Sequence, residues 1–282
     1  MAYFTCPICK QALKIENKSY LCENNHCFDI AKSGYVNLLP SNQMNSKAPG
    51  DNKLMVDTRN QFLSKGFYQP LLDTLSNELV HIIKEHQLNE PTIADVGCGE
   101  GYYTQGIYQA IHNNGITPSI LGIDISKEAL KYAAKRMKQI NASTVQIAVG
   151  SVFHLPIETE YCDILMELFA PYCGEEFHRV LKKNGIMILV IPAENHLFEL
   201  KQAVYKNPYK NEVKPYELDG FTLLNKEKVK SQIHLSNNED IMNLFQMTPY
   251  YYKTSKEDTE RLMSLNELTT TIEFELLIYQ SR

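Results

Sequence analysis

Eight consecutive residues, Ala94-Asp95-Val96-Gly97-Cys98-Gly99-Glu100-Gly101, constrain the fold of this chain more than any other stretch. They follow the short pair Thr92-Ile93 and lead into Tyr102-Tyr103-Thr104-Gln105-Gly106-Ile107, which can begin a helix. A strand that ends in a glycine-rich bend and turns into a helix brings bare backbone close to a bound ligand, with the amides of the first helical turn facing it. The spacing narrows the choice of ligand. A dinucleotide fingerprint reads G-x-G-x-x-G, but the position three after Gly99 holds Tyr102. The G-x-G-x-G found here, with Asp95 ahead of it and Glu100 directly after Gly99, is the version used for S-adenosylmethionine. That molecule has no pyrophosphate to seat on a helix, and its amino-acid part carries an ammonium group that acids and carbonyls can hold. Taken alone, the same bend also suits a simple tight turn in any α/β protein, so the surrounding pattern has to decide.

That pattern is a doubly wound one. Ser119-Ile120-Leu121-Gly122-Ile123-Asp124 reads as a second strand ending in an acid, where a nucleotide fold places the carboxylate that takes both ribose hydroxyls. Ser126 is a helix N-cap with an amphipathic helix, Lys127 to Ile140, behind it. Thr144 to Val149, Cys162 to Leu168 and Gly185 to Ile191 read as further strands, and Gly150-Ser151-Val152-Phe153-His154-Leu155-Pro156 as the loop after the third. Short apolar runs alternating with helical stretches predict βαβ units and a mainly parallel sheet. Ligands of such sheets sit beyond the carboxyl ends of the strands. Gly97, Gly99, Asp124 and the segment from Ser151 should therefore meet at one rim, with S-adenosylmethionine preferred there over a nicotinamide cofactor.

A second cluster stands at the front of the chain. Four of the seven cysteines lie in the first 27 residues, as Cys6-Pro7-Ile8-Cys9 and Cys22-Glu23-Asn24-Asn25-His26-Cys27. The array C-x2-C-x12-C-x3-H offers three thiolates and an imidazole, a closed tetrahedral set suited to structural zinc. Disulfides are the competing reading, and an odd cysteine count in an intracellular chain speaks against them. Cys27 adjoins His26 and could serve as fourth ligand instead; His26 is preferred. Leu13 to Leu21 reads as a β-hairpin around Glu16-Asn17-Lys18. A unit this small cannot live on its own core, so metal binding should supply much of its folding energy. With four ligands the site has no open position and should build a surface, not perform chemistry.

These features predict three segments: a zinc module over 1–40, a linker or loop over 41–55, and a methyltransferase domain over 56–282. The linker rests on the polar stretch Ser41 to Lys53 with its Pro49-Gly50-Asp51. Asp57 to Leu63 and Pro70 to His86 read as helices before the first strand, split by Gly66-Phe67-Tyr68. At 44% hydrophobic and 22% charged, the composition is that of an ordinary globular protein. No apolar run reaches membrane-spanning length and no secretory leader is visible, so a cytoplasmic protein is expected. A net charge of −5 gives no general attraction to nucleic acid, although a local basic face would suffice for RNA. The first 60 residues carry a slight basic surplus, whereas 151–200 is strongly acidic.

The chain resembles the bacterial 23S rRNA guanine-N1 methyltransferases over nearly its whole length. The likeness runs through Cys6-Pro7-Ile8-Cys9, Phe28-Asp29-Ile30-Ala31-Lys32, Gly34-Tyr35-Val36-Asn37-Leu38-Leu39-Pro40, Pro49-Gly50-Asp51, Arg59 with Phe62-Leu63, and Gly66 with Tyr68 and Pro70-Leu71. It continues through Asp95 to Thr104, Ala170-Pro171, His196-Leu197 with Glu199-Leu200-Lys201, and Met247-Thr248-Pro249. The glycine loop is common to many methyltransferases; the cysteine array followed by the Gly34 to Pro40 string is far more specific. The resemblance implies a Rossmann-like S-adenosylmethionine-dependent methyltransferase sheet with a small N-terminal zinc module. It implies zinc on Cys6, Cys9, Cys22 and His26, and cofactor contacts from Tyr68, the Gly99-Glu100 region and His196. It also implies a homodimer whose zinc modules help grip a 23S rRNA hairpin. With Asp95, Gly97, Gly101 and Asp124 from the loop and strand readings, these complete the expected cofactor set.

The reaction so implied is direct methyl transfer to guanine N1, with the protein aligning donor and acceptor. Guanine N1 carries a proton that must leave, and a paired or stacked base must be exposed to reach the methyl. Tyr102, Tyr103, Phe169 and Tyr172 are candidates to stack on the base, and each is equally at home in a core. Glu167, at the end of the fourth strand, could take the proton or simply sit hydrated at a strand end; no catalytic base is assigned. Two other functions stay open from the residues alone. One is methylation of a small molecule or protein, such as a quinone-pathway substrate. The other is a zinc-dependent RNA-binding regulator that senses cofactor without turnover.

Overall fold

The computed structural model describes residues 3–44, 49–213 and 215–282. Part of the polar stretch expected as a linker, residues 45–48, lies outside them. Four short strands open the chain: β1 (Lys14–Glu16), β2 (Ser19–Leu21), β3 (Cys27–Asp29) and β4 (Val36–Asn37). The first three form an antiparallel sheet, and β1 turns into β2 through Asn17 and Lys18, both with positive φ. Helices α1 (Lys53–Ser64) and α2 (Gln69–Glu85) follow, then β5 (Thr92–Val96), α3 (Tyr102–Asn113), β6 (Ser119–Asp124), α4 (Lys127–Gln139), β7 (Val145–Val149) and β8 (Cys162–Leu168). The chain closes with α5 (Gly174–Val180), β9 (Leu181–Pro192), α6 (Phe198–Val204), β10 (Phe221–Leu235), α7 (Asn238–Gln246), α8 (Lys256–Met263) and β11 (Leu268–Ser281).

The large sheet has the order β10-β11-β9-β8-β5-β6-β7-β4. From β4 to β9 every pairing is parallel, as the alternation of strands and helices predicts. The C-terminal quarter then adds β11 antiparallel to β9 of that core, and β10 antiparallel to β11 at the edge. Neither was visible in the sequence. Strand β10 is a sheet edge, largely exposed and studded with Lys226, Lys228 and Lys230, so it lacks the apolar run of a central strand. The expected helix at Asp57 starts earlier, at Lys53, because the Asn52 side chain accepts the amide of Met55 and caps the helix.

Successive strand residues feed opposite cores, as a period of two requires. Ile93, Ile120, Ile164 and Met166 point to one side, where α1 to α4 and α7 pack. Ala94, Leu121, Leu165 and Met187 point to the other, which holds α5 together with Phe4, Leu13 and Tyr20 of the N-terminal module. The module thus shares a core with the sheet. The amide of Thr5 donates to the Pro156 carbonyl at 2.8 Å, the Tyr20 hydroxyl donates to the Gln146 side chain at 3.0 Å, and β4 pairs with β7. Burial against a neighbour therefore adds to whatever a metal contributes to this small unit. After β7 the chain returns to the far side of β5 to form β8. The crevice at the carboxyl ends of β5 and β8 is the place where such folds bind ligands.

Candidate cofactor cavity and metal centre

A cavity of about 620 Å³ opens at that crevice. Its floor is the bend after β5. The amides of Gly97 and Cys98 both donate to the Ile123 carbonyl, at 2.7 and 3.1 Å, which ties the bend to the end of β6. Gly97 and Gly99 take φ of +80° and +54°, a region that side chains disfavour. Asp124, at the tip of β6, accepts the Gly99 amide at 3.0 Å and the Ser126 amide at 2.7 Å. Beneath them Asp95 accepts the Thr104 hydroxyl at 2.5 Å, and burial pushes its carboxyl up to about 7. Asp124 is also raised by burial, with its two amide donors opposing the shift.

Seven of the eight expected cofactor residues line this one cavity: Tyr68, Asp95, Gly97, Gly99, Glu100, Asp124 and His196. Gly101 is the exception. A side chain there would start 2.8 to 2.9 Å from Ala133 of α4, so this glycine lets two helices approach and does not face the ligand space. Tyr68 and His196 come together from residues far apart in sequence, with the hydroxyl 3.4 Å from Nε2 and both rings packed on Phe274. Nδ1 of His196 accepts the backbone amide of Glu273 at 3.2 Å. The neutral ring therefore carries its proton on Nε2. Burial, reinforced by Lys201 and opposed by Glu273, lowers this imidazole to about 3, so it stays neutral and acts as a donor.

The remaining wall was not legible from the loop and strand pattern. Asp51, Met55 and Arg59 close one side, Met247 to Tyr250 another, and Phe274 comes from β11. Of the aromatic candidates, Tyr103 and Phe169 line the cavity, while Tyr102 binds Gln69 through its hydroxyl and Tyr172 sits outside the lining. Phe169 is half-exposed with a φ of +63°. Glu167 does not line the cavity; its carboxyl oxygen accepts the Ala170 amide and shapes the turn, and burial lifts the group to about 8.

The cavity suits a cationic, adenosine-bearing molecule. Four carboxyl groups line it (Asp51, Asp95, Glu100 and Asp124), with apolar surface from Ile125, Val152 and Phe153 beside them. The Tyr103 hydroxyl is buried without a hydrogen-bond partner, a deficit that a bound polar group would relieve.

At the other end of the module, the ligand atoms of Cys6, Cys9, Cys22 and His26 all lie within 4.8 Å of one another. His26 Nδ1 is 3.5 Å from Cys6 Sγ and 3.4 Å from Cys22 Sγ, and the Cys9 and Cys22 sulfurs are 3.6 Å apart. A zinc ion with Zn–S bonds of about 2.3 Å sets tetrahedral S···S edges near ~3.8 Å, close to these three separations. None of these sulfurs is in a disulfide, and Cys27 opens β3 as an exposed thiol.

Comparison with known proteins finds a family for each of the two segments that carry these sites. Residues 4–47 match the zinc-ribbon family described as RlmA, N-terminal, and residues 89–259 match the family described as methyltransferase domain. YxjB of Bacillus subtilis (strain 168), provisionally named a 23S rRNA (guanine-N(1)-)-methyltransferase, is 27% identical over 98% of this chain and 96% of its own. A protein of Micromonospora griseorubida with the same provisional name is 30% identical over 71% of this chain and 69% of its own. The 23S rRNA (guanine(748)-N(1))-methyltransferase of Streptomyces fradiae is 29% identical over 72% of this chain and 68% of its own.

Proposed function

The chain belongs to the 23S rRNA (guanine-N1)-methyltransferase family, and on that premise we propose that it methylates N1 of one guanine in 23S rRNA. The observation that carries this reading is the pairing of two features in one molecule: a four-ligand zinc cluster and a carboxylate-lined cavity at the sheet's switch point. S-adenosylmethionine supplies an activated methyl group when bound. What the protein's own residues do is bind and orient. Asp124 offers carboxylate oxygens for a ribose, Asp95 and Glu100 offer negative charge to an ammonium, and the bare backbone at Gly97 and Gly99 permits close approach. Tyr68 and His196 close the pocket as neutral partners. The Nε2 proton excludes His196 as acceptor of the guanine N1 proton, and Glu167 is spent on its turn.

Phe169, half-exposed at the cavity, is the ring best placed to stack on an extruded base. Cys6, Cys9, Cys22 and His26 hold zinc, which rigidifies a module whose slight basic surplus suits it to face RNA. The resemblance further supports a homodimer, a 23S rRNA hairpin as substrate and a cytoplasmic setting. Among the described residues, no helix is long and apolar enough to cross a membrane.

The test is incubation with labelled S-adenosylmethionine and unmodified bacterial 23S rRNA, followed by primer extension. A methyl on N1 blocks base pairing, so one strong stop should appear. Cofactor binding without label in rRNA or ribosomal particles would instead leave a regulatory protein.

A further inference from the structure

We infer that Arg59 seats the α-carboxylate of the methyl donor, and so makes the site selective for donors that still carry that group. The inference rests on the cavity being the S-adenosylmethionine site. The donor's amino-acid part bears two opposite charges, and the cavity treats them unequally. For the ammonium and sulfonium there are four carboxyl groups. For the carboxylate there is, among the described residues, one cation. Arg59 and His196 are the basic side chains in the described lining, and His196 is held neutral. The unpartnered Tyr103 hydroxyl is a donor but carries no charge.

Arg59 is also in the right place. Its Nη1 would lie 3.5 Å from a side chain's first carbon on Gly99, so the guanidinium hangs directly over the bend. Nη2 is committed to Asp51, the last residue of Pro49-Gly50-Asp51. Nη1 stands 4.0 Å from Glu100 Oε2, too long for a hydrogen bond, which leaves this edge of the guanidinium open. Only 22% of the side chain is exposed, so a carboxylate arriving there meets a largely desolvated cation. Asp51, in turn, is anchored from behind, because the Ser126 hydroxyl donates to its carbonyl at 2.7 Å. One partly buried arginine braced by an acid, beside glycines that admit a ligand, is a specificity device and not a surface ion pair.

The experiment is calorimetric binding of two product-like ligands to the full chain. S-adenosylhomocysteine has the carboxylate; S-adenosyl-3-thiopropylamine is the same molecule without it. The wild-type protein should prefer the first by on the order of 10- to 100-fold, the range of a charge-assisted contact. In Arg59→Gln the preference should collapse to within about threefold, chiefly by loss of S-adenosylhomocysteine affinity. Because the readout is a ratio within each protein, a general folding defect cannot imitate it. Equal weakening of both ligands, or an unchanged preference, overturns the assignment to Arg59. If neither ligand binds the wild-type chain, the methyl-donor reading falls first and this inference with it.

Discussion

Gly97 and Ala170 touch across the switch point of the sheet: a side chain built on Gly97 would run into the Ala170 methyl. The bend after β5 and the turn after β8 are thus packed against each other at the cavity floor. Gly97→Ala should therefore carry two penalties, about 1–2 kcal/mol for a left-handed φ on a residue with a side chain and a further steric term. We expect weaker S-adenosylhomocysteine binding, by tenfold or more, and a lower melting temperature. The double variant Gly97→Ala/Ala170→Gly should recover the steric part only. Full recovery would mean the backbone conformation carries no cost, contrary to this account.

His196 should remain uncharged throughout the physiological range. Its folded pKa lies below the ordinary histidine value, so the neutral form is the one the fold favours. The stability it contributes is present above about 6.5 and is lost as pH falls from there toward about 3. Nitrogen-15 spectra of the imidazole should show the Nε2–H tautomer persisting from pH 8 to below pH 5. A titration midpoint above 6 would contradict the geometry.

Glu167 works in the opposite direction. Its folded pKa of about 8 lies above the free value of 4.5, so the protonated form is favoured in the fold. That contribution is complete below about 4.5 and is lost as pH rises toward 8. Glu167→Gln keeps an oxygen for the Ala170 amide while removing the buried charge. Its melting temperature should pull ahead of the wild type as pH goes from 5 to 8, by roughly 5 °C or more at the alkaline end. Methyl transfer should survive the change; its abolition, with binding intact, would make Glu167 the proton acceptor after all.

The metal cluster predicts a clean division among cysteines. Cys6→Ser and His26→Ala should lose zinc and melt earlier, whereas Cys27→Ser should keep one zinc per chain, measured by elemental analysis of the purified proteins. Zinc depleted in the Cys27 variant and retained in the His26 variant would reverse the assignment of the fourth ligand.

Contiguous features were readable in the chain itself. The turn from β5 into α3, the acid at the end of β6, the Ser126 cap and the cysteine pairs each lie within a few residues of sequence. Their spacing alone dictates a glycine bend, a capped helix or a thiolate knuckle. Gly101 shows the limit of that kind of reading. It belongs to the same string as Gly97 and Gly99, yet whether a glycine clears a ligand or a neighbouring helix depends on Ala133, 32 residues further on. Strand β10 escaped for a related reason: an edge strand buries few side chains, so its apolar pattern is faint.

Local chemistry, then, sufficed to name a methyl-donor loop and a zinc knuckle, because backbone conformation and metal geometry are short-range demands. Folding alone decided who else faces the ligand. Arg59 from α1, Tyr250 from beyond α7 and Phe274 from β11 converge on one cavity because the sheet reverses at β5 and the chain returns through two antiparallel strands. The same holds for His26 over Cys27. Adjacent in sequence, they part because β3 begins at Cys27 as an exposed thiol, while His26 Nδ1 stays beside Cys6 and Cys22.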